Sequence, residues 1–342
     1  MIKIGKRRIG KNFKPLIICE LGINHSGSLV TAKKMVDLAF KNGAEAIKNQ
    51  SHILDKEMIP ASKKVVPANA NESIYNVIKE NMMSFEDEIK LKRYVEKKRM
   101  IYLSTPFSLE AAIKLKKIGI KAFKIGSGEC NNIPLLEKIA SFKKPIILST
   151  GMNDLKSIKR SVKILKKKKT KFVLLHCKSE YPAKIKGLKL DFINTLKKEF
   201  PGVLVGYSDH SIGMIPSISA LAKGACIIEK HFTDSKSRKG PDIICSMDPK
   251  DLNFLIKSSK IIFDSNGKNK FISSLEKKTA EFAFSSVVST KKIYKGDKLS
   301  VNNIWVKRPG KGYYKAYNFN SLLGKRVKRN ISINQFIKKG DV

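Results

Sequence analysis

Eight times along this chain a short apolar, β-rich run leads into a longer segment of helical period, and this repetition constrains the fold more than any other feature. The runs cover residues 16–21, 44–48, 100–104, 122–125, 145–149, 172–177, 203–206 and 225–229. Helical period is read at 29–41, 85–98, 109–117, 133–140, 155–165, 188–199, 215–223 and 249–262. Ser28, Ser84, Ser108 and Asn153 stand where helix N-caps are expected. A continuous apolar run suits a strand covered on both faces, and parallel neighbours need a crossover helix between them. Eight such units predict an α/β chain folded as a (β/α)8 TIM barrel, ordinarily about 250 residues long. An open doubly wound sheet is the alternative, but no Gly-rich dinucleotide turn follows any of the runs.

The repetition stops before the chain does. Asp264-Ser265-Asn266-Gly267-Lys268 reads as a linker, and short β-like pieces at 286–288, 303–307 and 336–338 follow, with turns at Lys295-Gly296-Asp297 and Pro309-Gly310-Lys311-Gly312. The expected organisation is therefore a catalytic barrel over 1–263, a linker over 264–283 and a small β-rich domain over 284–342. A unit of that size buries little surface alone and is expected to pack on a partner. The excursion 51–98, which carries Pro60, Pro67 and Asn69-Ala70-Asn71, is expected to shape a pocket.

Charge is the unusual part of the composition: the 342 residues carry a net +40. That balance invites a basic anion- or nucleic-acid-binding protein as a reading of a different class. The basic residues, however, spread over predicted helix faces without interleaved RNA-binding aromatics or zinc-finger spacing, so no nucleic-acid partner is expected. No apolar run approaches the roughly 20 residues of a membrane span. The basic residues 1–12 carry no signal-peptide apolar segment, and a cytoplasmic location is expected. Five separated cysteines without a CxxC pair are expected as reduced, buried thiols.

In a (β/α)8 barrel the chemistry sits at the C-terminal strand ends. This chain places there Glu20, Asn24, His25, Lys48, Asn49, Gln50, His52, Thr105, Lys124, Ser127, Glu129, Ser149, His176, Ser179, Tyr181, Ser208, His210 and His231, which include all of its five histidines. A lone serine or threonine at such a place is ordinarily a turn former. Two lysines at buried strand ends change that reading, because burying them without an anion is costly. Lys48 and Lys124 with the surrounding hydroxyls therefore suit a small anionic substrate bearing phosphate and carboxylate. His210 and His231, from the last two strands, are candidate ligands of a divalent ion with positions left for water and substrate. Glu20, Glu129 and Asp242 remain as candidate acid, base or hydroxyl-accepting groups.

Several segments are longer than any of these single-residue signals: Cys19-Glu20-Leu21-Gly22-Ile23-Asn24-His25, Ser104-Thr105-Pro106-Phe107-Ser108, Lys124-Ile125-Gly126-Ser127-Gly128-Glu129-Cys130-Asn131-Asn132, Leu148-Ser149-Thr150-Gly151-Met152, Ser208-Asp209-His210 and Glu229-Lys230-His231-Phe232-Thr233-Asp234. They resemble the bacterial sialic acid synthase family, the phosphoenolpyruvate-dependent nonulosonate synthases. Trp305-Val306-Lys307-Arg308-Pro309-Gly310 resembles that family's C-terminal antifreeze-like (SAF) domain. The resemblance covers roughly residues 14–342. It implies a transferase of the N-acetylneuraminate synthase kind, joining phosphoenolpyruvate to an N-acetylmannosamine-type sugar and releasing phosphate by C–O cleavage. It also implies a divalent metal, Mn2+ before Mg2+ or Co2+, and a homodimer in which each SAF domain caps the partner's barrel.

Carried over by motif, His210 and His231 would hold the metal, and Lys48, Thr105, Lys124, Ser127, Ser149, Ser179 and Ser208 would bind phosphoenolpyruvate. Gln50, Asn69, Glu129, Tyr181, Asp242, Phe282 and Arg308 would meet the sugar, with Glu20 and Glu129 catalytic. Asn49 and Lys178-Ser179-Glu180 depart from the expected pattern. Both places are expected to line the sugar side, which leaves legionaminate or pseudaminate synthase, acting on a 2,4-diacetamido-trideoxy hexose, as the alternative.

Overall fold

The computed structural model describes residues 1–267 and 269–342. Lys268, within the expected linker, lies outside them. The chain divides into two units, Met1–Asn266 and Gly267–Val342, each described by itself.

The first unit is the expected barrel. A hairpin, β1 Ile2–Ile4 and β2 Arg7–Ile9, precedes eight parallel strands: β3 Leu16–Glu20, β4 Ala46–Ser51, β5 Ile101–Pro106, β6 Phe123–Ile125, β7 Ile146–Ser149, β8 Phe172–Cys177, β9 Leu204–Asp209 and β10 Ile227–His231. They close in chain order, with β10 pairing β3. Alternation along each strand sorts the side chains. Leu16 and Ile18, Ala46, Leu103, Ala122, Ile147, Val173 and Leu175, and Ile227 fill the barrel interior, and the hairpin's Ile2, Ile4 and Ile9 join the same cluster. Their neighbours, such as Ile17, Cys19, Ile47, Tyr102, Phe123, Leu174, Tyr207 and Ile228, face outward into the helical layer. Continuing the inward set toward the C-terminal ends gives Glu20, Lys48, Gln50, Thr105, Lys124, Ser149, Cys177, Ser208, His210, Glu229 and His231, and that rim carries the site.

Several expected boundaries move. β9 and β10 run on to Asp209 and His231, so His231 is the last residue of its strand and not a loop residue beyond it. The helix Leu155–Lys167 is capped by Asp154, whose Oδ1 accepts from Ser157 N at 2.7 Å, while Asn153 turns away to donate to Ser127 O. The expected linker 264–283 holds the end of the helix Pro249–Ser265 and a further helix, Ser274–Ala283. That second helix opens with a capping box in which Ser273 and Glu276 satisfy each other's backbone N–H groups, a Ser-x-x-Glu signal present in the sequence. The excursion after β4 contains the helices Leu54–Glu57 and Ile74–Asn81 around a 3-10 turn.

The second unit pairs β11 Ser286–Ser289 with β12 Ile304–Lys307 around Val287, Ile293, Leu299, Ile304, Leu322, Val327, Ile331 and Ile337. The β-like piece 336–338 makes only an isolated bridge, Val288 to Phe336. The five cysteines are free and buried, and no described helix is long and apolar enough to cross a membrane.

Candidate functional site

At the C-terminal rim one cavity of 230 Å³ is lined by Glu20, Lys48, Gln50, Thr105, Lys124, Ser127, Ser149, Ser179, Tyr181, Ser208, His210 and His231, together with Cys177 and Glu229. The expected anion-binding set is thus gathered in one place. Lys48 Nζ donates to Thr105 Oγ1 at 3.2 Å and pairs with Glu20; Lys124 Nζ donates to Ser149 Oγ at 2.8 Å and lies 3.4 Å from Glu229 Oε1. Ser208 Oγ donates to the same Glu229 oxygen at 3.3 Å. Both ammonium groups are almost wholly buried, so the two carboxylates are what keep them charged inside the barrel.

The two carboxylates are held differently. Burial pushes Glu20 above the usual carboxylate range, against the opposing pull of Lys48, while Glu229 is held below it because Lys124, Lys48 and His210 outweigh its burial. Burial lowers Lys124, whereas Glu20 and Glu229 more than offset burial at Lys48. A pair of acids pushed apart in this way can divide the roles of proton holder and fixed negative charge. Glu229 is not among the residues expected at the site, because it closes the apolar run 225–229. Stepping back two residues from the inward-facing His231 along its strand finds it.

Glycine is required where the loops crowd this cavity. A Cβ on Gly151 would lie 2.2 Å from Ser179 Oγ and 2.8 Å from Ser127 Oγ, and the Gly151 N–H instead donates to Ser127 Oγ at 3.0 Å. Gly22, at φ 54°, presses on the His231 ring, where a Cβ would meet Nδ1 at 3.0 Å.

The histidine pair lines the same cavity, His210 just past the end of β9 and His231 at the end of β10. The His210 and His231 ring centroids are 5.6 Å apart, with the Tyr181 ring tilted by 31° and centred 4.1 Å from that of His210. His210 Nδ1 donates to the Lys178 carbonyl at 2.9 Å, which leaves Nε2 as the lone-pair nitrogen when the ring is neutral. Burial lowers His210, but Cys177 and that carbonyl reverse the direction, so a cation at Nε2 competes with a proton. His231 is driven well below its ordinary value by burial and by the positive neighbours His210 and Lys48, so it stays neutral. Its Nδ1 is buried without a hydrogen-bond partner, 3.7 Å from Asp242 Oδ2. Burial lifts Asp242 to about 6.

No cluster of three or more His, Cys, Asp or Glu able to hold a metal is found among the described residues. Two neutral-capable imidazoles, one carrying an orphaned buried nitrogen, nevertheless fit a divalent ion that takes its remaining ligands from water and substrate.

A second cavity of 560 Å³ adjoins the first and shares Gln50, Ser179, Tyr181 and His231 with it. It adds Asn69 and Asp242 from the expected sugar set. The excursion supplies a largely apolar wall, Pro67, Ala68, Ala70, Ile74, Val77 and Ile78, faced by Ile23 and Pro241.

Other expected residues lie elsewhere. Asn49 is fully buried on the outer face of β4, where its Oδ1 lies 3.2 Å from His25 Nε2, so neither residue lines the pocket. The expectation for Asn49 fails because a one-residue step along a strand reverses the face. His176 points outward too and donates to Leu188 O at 2.7 Å. His52 stacks on Phe107 and lies 2.8 Å from Glu57 and 3.1 Å from Gln50 Oε1, behind the cavity wall. Glu129 sits half-buried on a 3-10 turn, accepts from Asn132 Nδ2 at 2.9 Å, and lines neither cavity. In the second unit Arg308 lies over the Phe282 ring at 6.0 Å, with Phe282 61% exposed, so those two are brought together on a surface.

The sequence matches the NeuB family over residues 35–271 and the SAF domain over 284–342. It is 38% identical to the N,N'-diacetyllegionaminic acid synthase of Campylobacter jejuni, over 95% of this chain and 99% of that protein. It is 32% identical to the human N-acetylneuraminate-9-phosphate synthase, over 94% of this chain and 90% of that one. Among solved structures, the N-acetylneuraminic acid (sialic acid) synthetase of Leptospira borgpetersenii in complex with citrate superposes with a TM-score of 0.75 at 35% identity, covering 82% of this chain and 95% of that chain.

Proposed function

The chain belongs to the NeuB family and carries a SAF domain, and from that premise we propose that it is a phosphoenolpyruvate-dependent nonulosonate synthase, a transferase acting on a 2-acetamido sugar of the N-acetylmannosamine type. The observation that carries this reading is the single cavity in which two buried lysines and a ring of hydroxyls face a pair of buried histidines.

Lys48 and Lys124, with Thr105, Ser127, Ser149, Ser179 and Ser208, hold the phosphate and carboxylate of phosphoenolpyruvate. His210 and His231 hold a divalent cation, Mn2+ before Mg2+ or Co2+, which when bound supplies Lewis-acid polarisation of the sugar aldehyde. Gln50, Asn69, Tyr181 and Asp242 place the open-chain sugar so that its C1 meets C3 of phosphoenolpyruvate. As that C–C bond forms, positive charge develops at C2, and Glu229, held ionised between the lysines, lies where it can balance it together with Glu20. A water molecule adds at C2, one of its protons passes by way of a carboxylate to the C1 oxygen of the former aldehyde, and the other leaves with phosphate as the C2–O bond breaks to give the ketone. Glu129, which lines neither cavity, is kept on the motif resemblance alone as a group serving the sugar oxygen. A homodimer in which Phe282 and Arg308 reach the partner's sugar site, in a cytoplasmic enzyme, completes the proposal.

One observation favours a second sugar. The larger cavity's apolar wall suits methyl groups, which a 2,4-diacetamido-2,4,6-trideoxy hexose offers in place of hydroxyls. Incubating the protein with phosphoenolpyruvate, Mn2+ and either sugar, with phosphate release and product mass as readouts, tests both readings. A nonulosonate from one sugar, in preference by about tenfold or more for one missing or added methyl-sized contact, assigns the substrate. Absence of turnover with either sugar would refute the proposal.

A further inference from the structure

Behind the histidine pair, on the outer face of the barrel wall, lies a buried ion pair that the proposed chemistry leaves unused. Asp209 and Lys230 are direct register partners on the adjacent strands β9 and β10, and their side chains are fully buried, with Lys230 Nζ 3.1 Å from Asp209 Oδ2. Each immediately precedes a candidate ligand: His210 follows Asp209, and His231 follows Lys230. Because successive strand residues face opposite sides, the ion pair and the histidine pair sit back to back through the same stretch of wall.

Tyr207 OH donates to Asp209 Oδ1 at 3.3 Å, and most of the other bonds around the ion pair converge on the backbone that carries His210. Asp209 Oδ1 accepts from Ser211 N at 2.9 Å and from Ser211 Oγ at 2.6 Å, and Oδ2 accepts from Ser217 Oγ at 2.6 Å. Lys230 Nζ donates to Ser211 O at 2.5 Å. His210 is therefore bracketed, since the residue before it supplies the carboxylate and the residue after it is held by its N–H, hydroxyl and carbonyl together. The lysine that completes this clamp is rooted in the strand that ends at His231.

A buried ion pair is a weak source of net stability, because desolvation offsets most of its attraction; its best-attested use is to specify one geometry. Here the specified geometry is the separation and orientation of two imidazoles. We infer that Asp209 and Lys230 are positioning residues that hold His210 and His231 at cation-binding separation, an inference that rests on the reading of those histidines as a divalent-metal site. An outer set that fixes ligand orientation ordinarily changes metal affinity by 10- to 100-fold when it is removed. The anion-binding lysines, Lys48 and Lys124, are rooted in other strands and make no contact with this pair.

The test titrates metal-stripped, full-length protein with Mn2+, following free Mn2+ by electron paramagnetic resonance, and separately measures phosphoenolpyruvate binding by calorimetry in chelator. D209N and K230M are expected to weaken Mn2+ by about 10- to 100-fold while phosphoenolpyruvate affinity stays within about threefold. S217A, which removes one bond to the Asp209 carboxylate while leaving those from Ser211 and Lys230, is expected to weaken Mn2+ by about threefold. E88Q supplies the control: Glu88, a buried carboxylate of the helix Phe85–Lys97, accepts from Ser51, Tyr102 and Ser104 on the outer face of β4 and β5.

A folded D209N with unchanged Mn2+ affinity, an equal loss of phosphoenolpyruvate binding, or an E88Q defect in Mn2+ binding as large as that of D209N overturns the inference. Should D209N not fold, S217A decides alone, and unchanged Mn2+ binding there overturns it. H210A separates the two readings. If H210A binds Mn2+ like the unaltered protein, the metal reading itself fails; if it loses Mn2+ while D209N keeps it, only the positioning role fails.

Discussion

The two ends of the same eight strands obey one alternation rule and serve opposite purposes. Toward their N-termini the inward side chains are Leu16, Ile18, Ala46, Leu103, Ala122, Ile147, Val173 and Ile227, closed off by the hairpin isoleucines. Two residues further along, the inward positions become Glu20, Lys48, Thr105, Lys124, Ser149 and Glu229. The first half removes apolar surface from water and stabilises the barrel. The second half buries charge, which stability alone does not favour and which a ligand can repay in binding. Within a few ångströms of strand, residues that hold the fold give way to residues that act.

That division can be broken from either end, and the largest effect is expected at the histidines. H231A should reduce turnover about a thousandfold or more while phosphoenolpyruvate binding stays within about tenfold; phosphate-release kinetics and calorimetry together would show it. An equal loss of both would mean that the ring serves the whole rim. At the other end, I147A is expected to destabilise the protein by about 2–5 kcal/mol through lost burial and the cavity left behind, with KM for both substrates unchanged in the folded fraction. Chemical denaturation beside steady-state kinetics measures that contrast. A raised KM with unaltered stability would erase the distinction between the two halves.

K124M sharpens the comparison within the rim. It leaves Glu229 without its nearer cation and removes one anchor of the anion, so phosphoenolpyruvate affinity should fall by about 2–5 kcal/mol with Mn2+ binding little changed. In the second unit, R308A is expected to raise the sugar KM by about tenfold, near 1.4 kcal/mol, without touching phosphoenolpyruvate binding. Equal losses for both substrates would argue that Arg308 serves folding.

The smallest effect is set by acid. Asp234 is held down to about 2 by Arg238, at 3.0 Å from its Nη2, and by Lys34 at 2.9 Å. A carboxylate with a lowered folded-state value contributes stability above its unfolded value near 3.8, and that contribution is lost as pH falls toward 2. Because Lys34 is exposed and screened, the contribution is on the order of 1 kcal/mol. D234N should flatten that part of the stability profile, as read from denaturation midpoints between pH 5 and 2.

The barrel was legible because its strands are buried on both faces and its crossover helices carry strong caps; the repeat survives any error of two residues at an edge. The site was less legible for the same reason that strands alternate. A strand end is recognisable but the side it faces is not: Asn49 and His176, expected at the rim, are outer-face residues, and His25, in the turn after β3, meets Asn49 there. Glu229 was overlooked because it lies inside a run that reads as apolar strand. The helix Ser274–Ala283 falls in the expected linker because it has no buried face to give it an apolar stripe, although its Ser273 capping box is present in the sequence. Only motif resemblance points to residues such as Asn69, which no periodicity places at the cavity it lines with His231.

The most direct test of the central claim is the mass of the product formed from phosphoenolpyruvate and each of the two amino sugars in the presence of Mn2+. The account predicts one nine-carbon keto acid, the sugar extended by the three carbons of pyruvate, with phosphate released in equal amount and both lost in H210A. Unconsumed phosphoenolpyruvate with every sugar, or product formation undiminished in H210A, would contradict it.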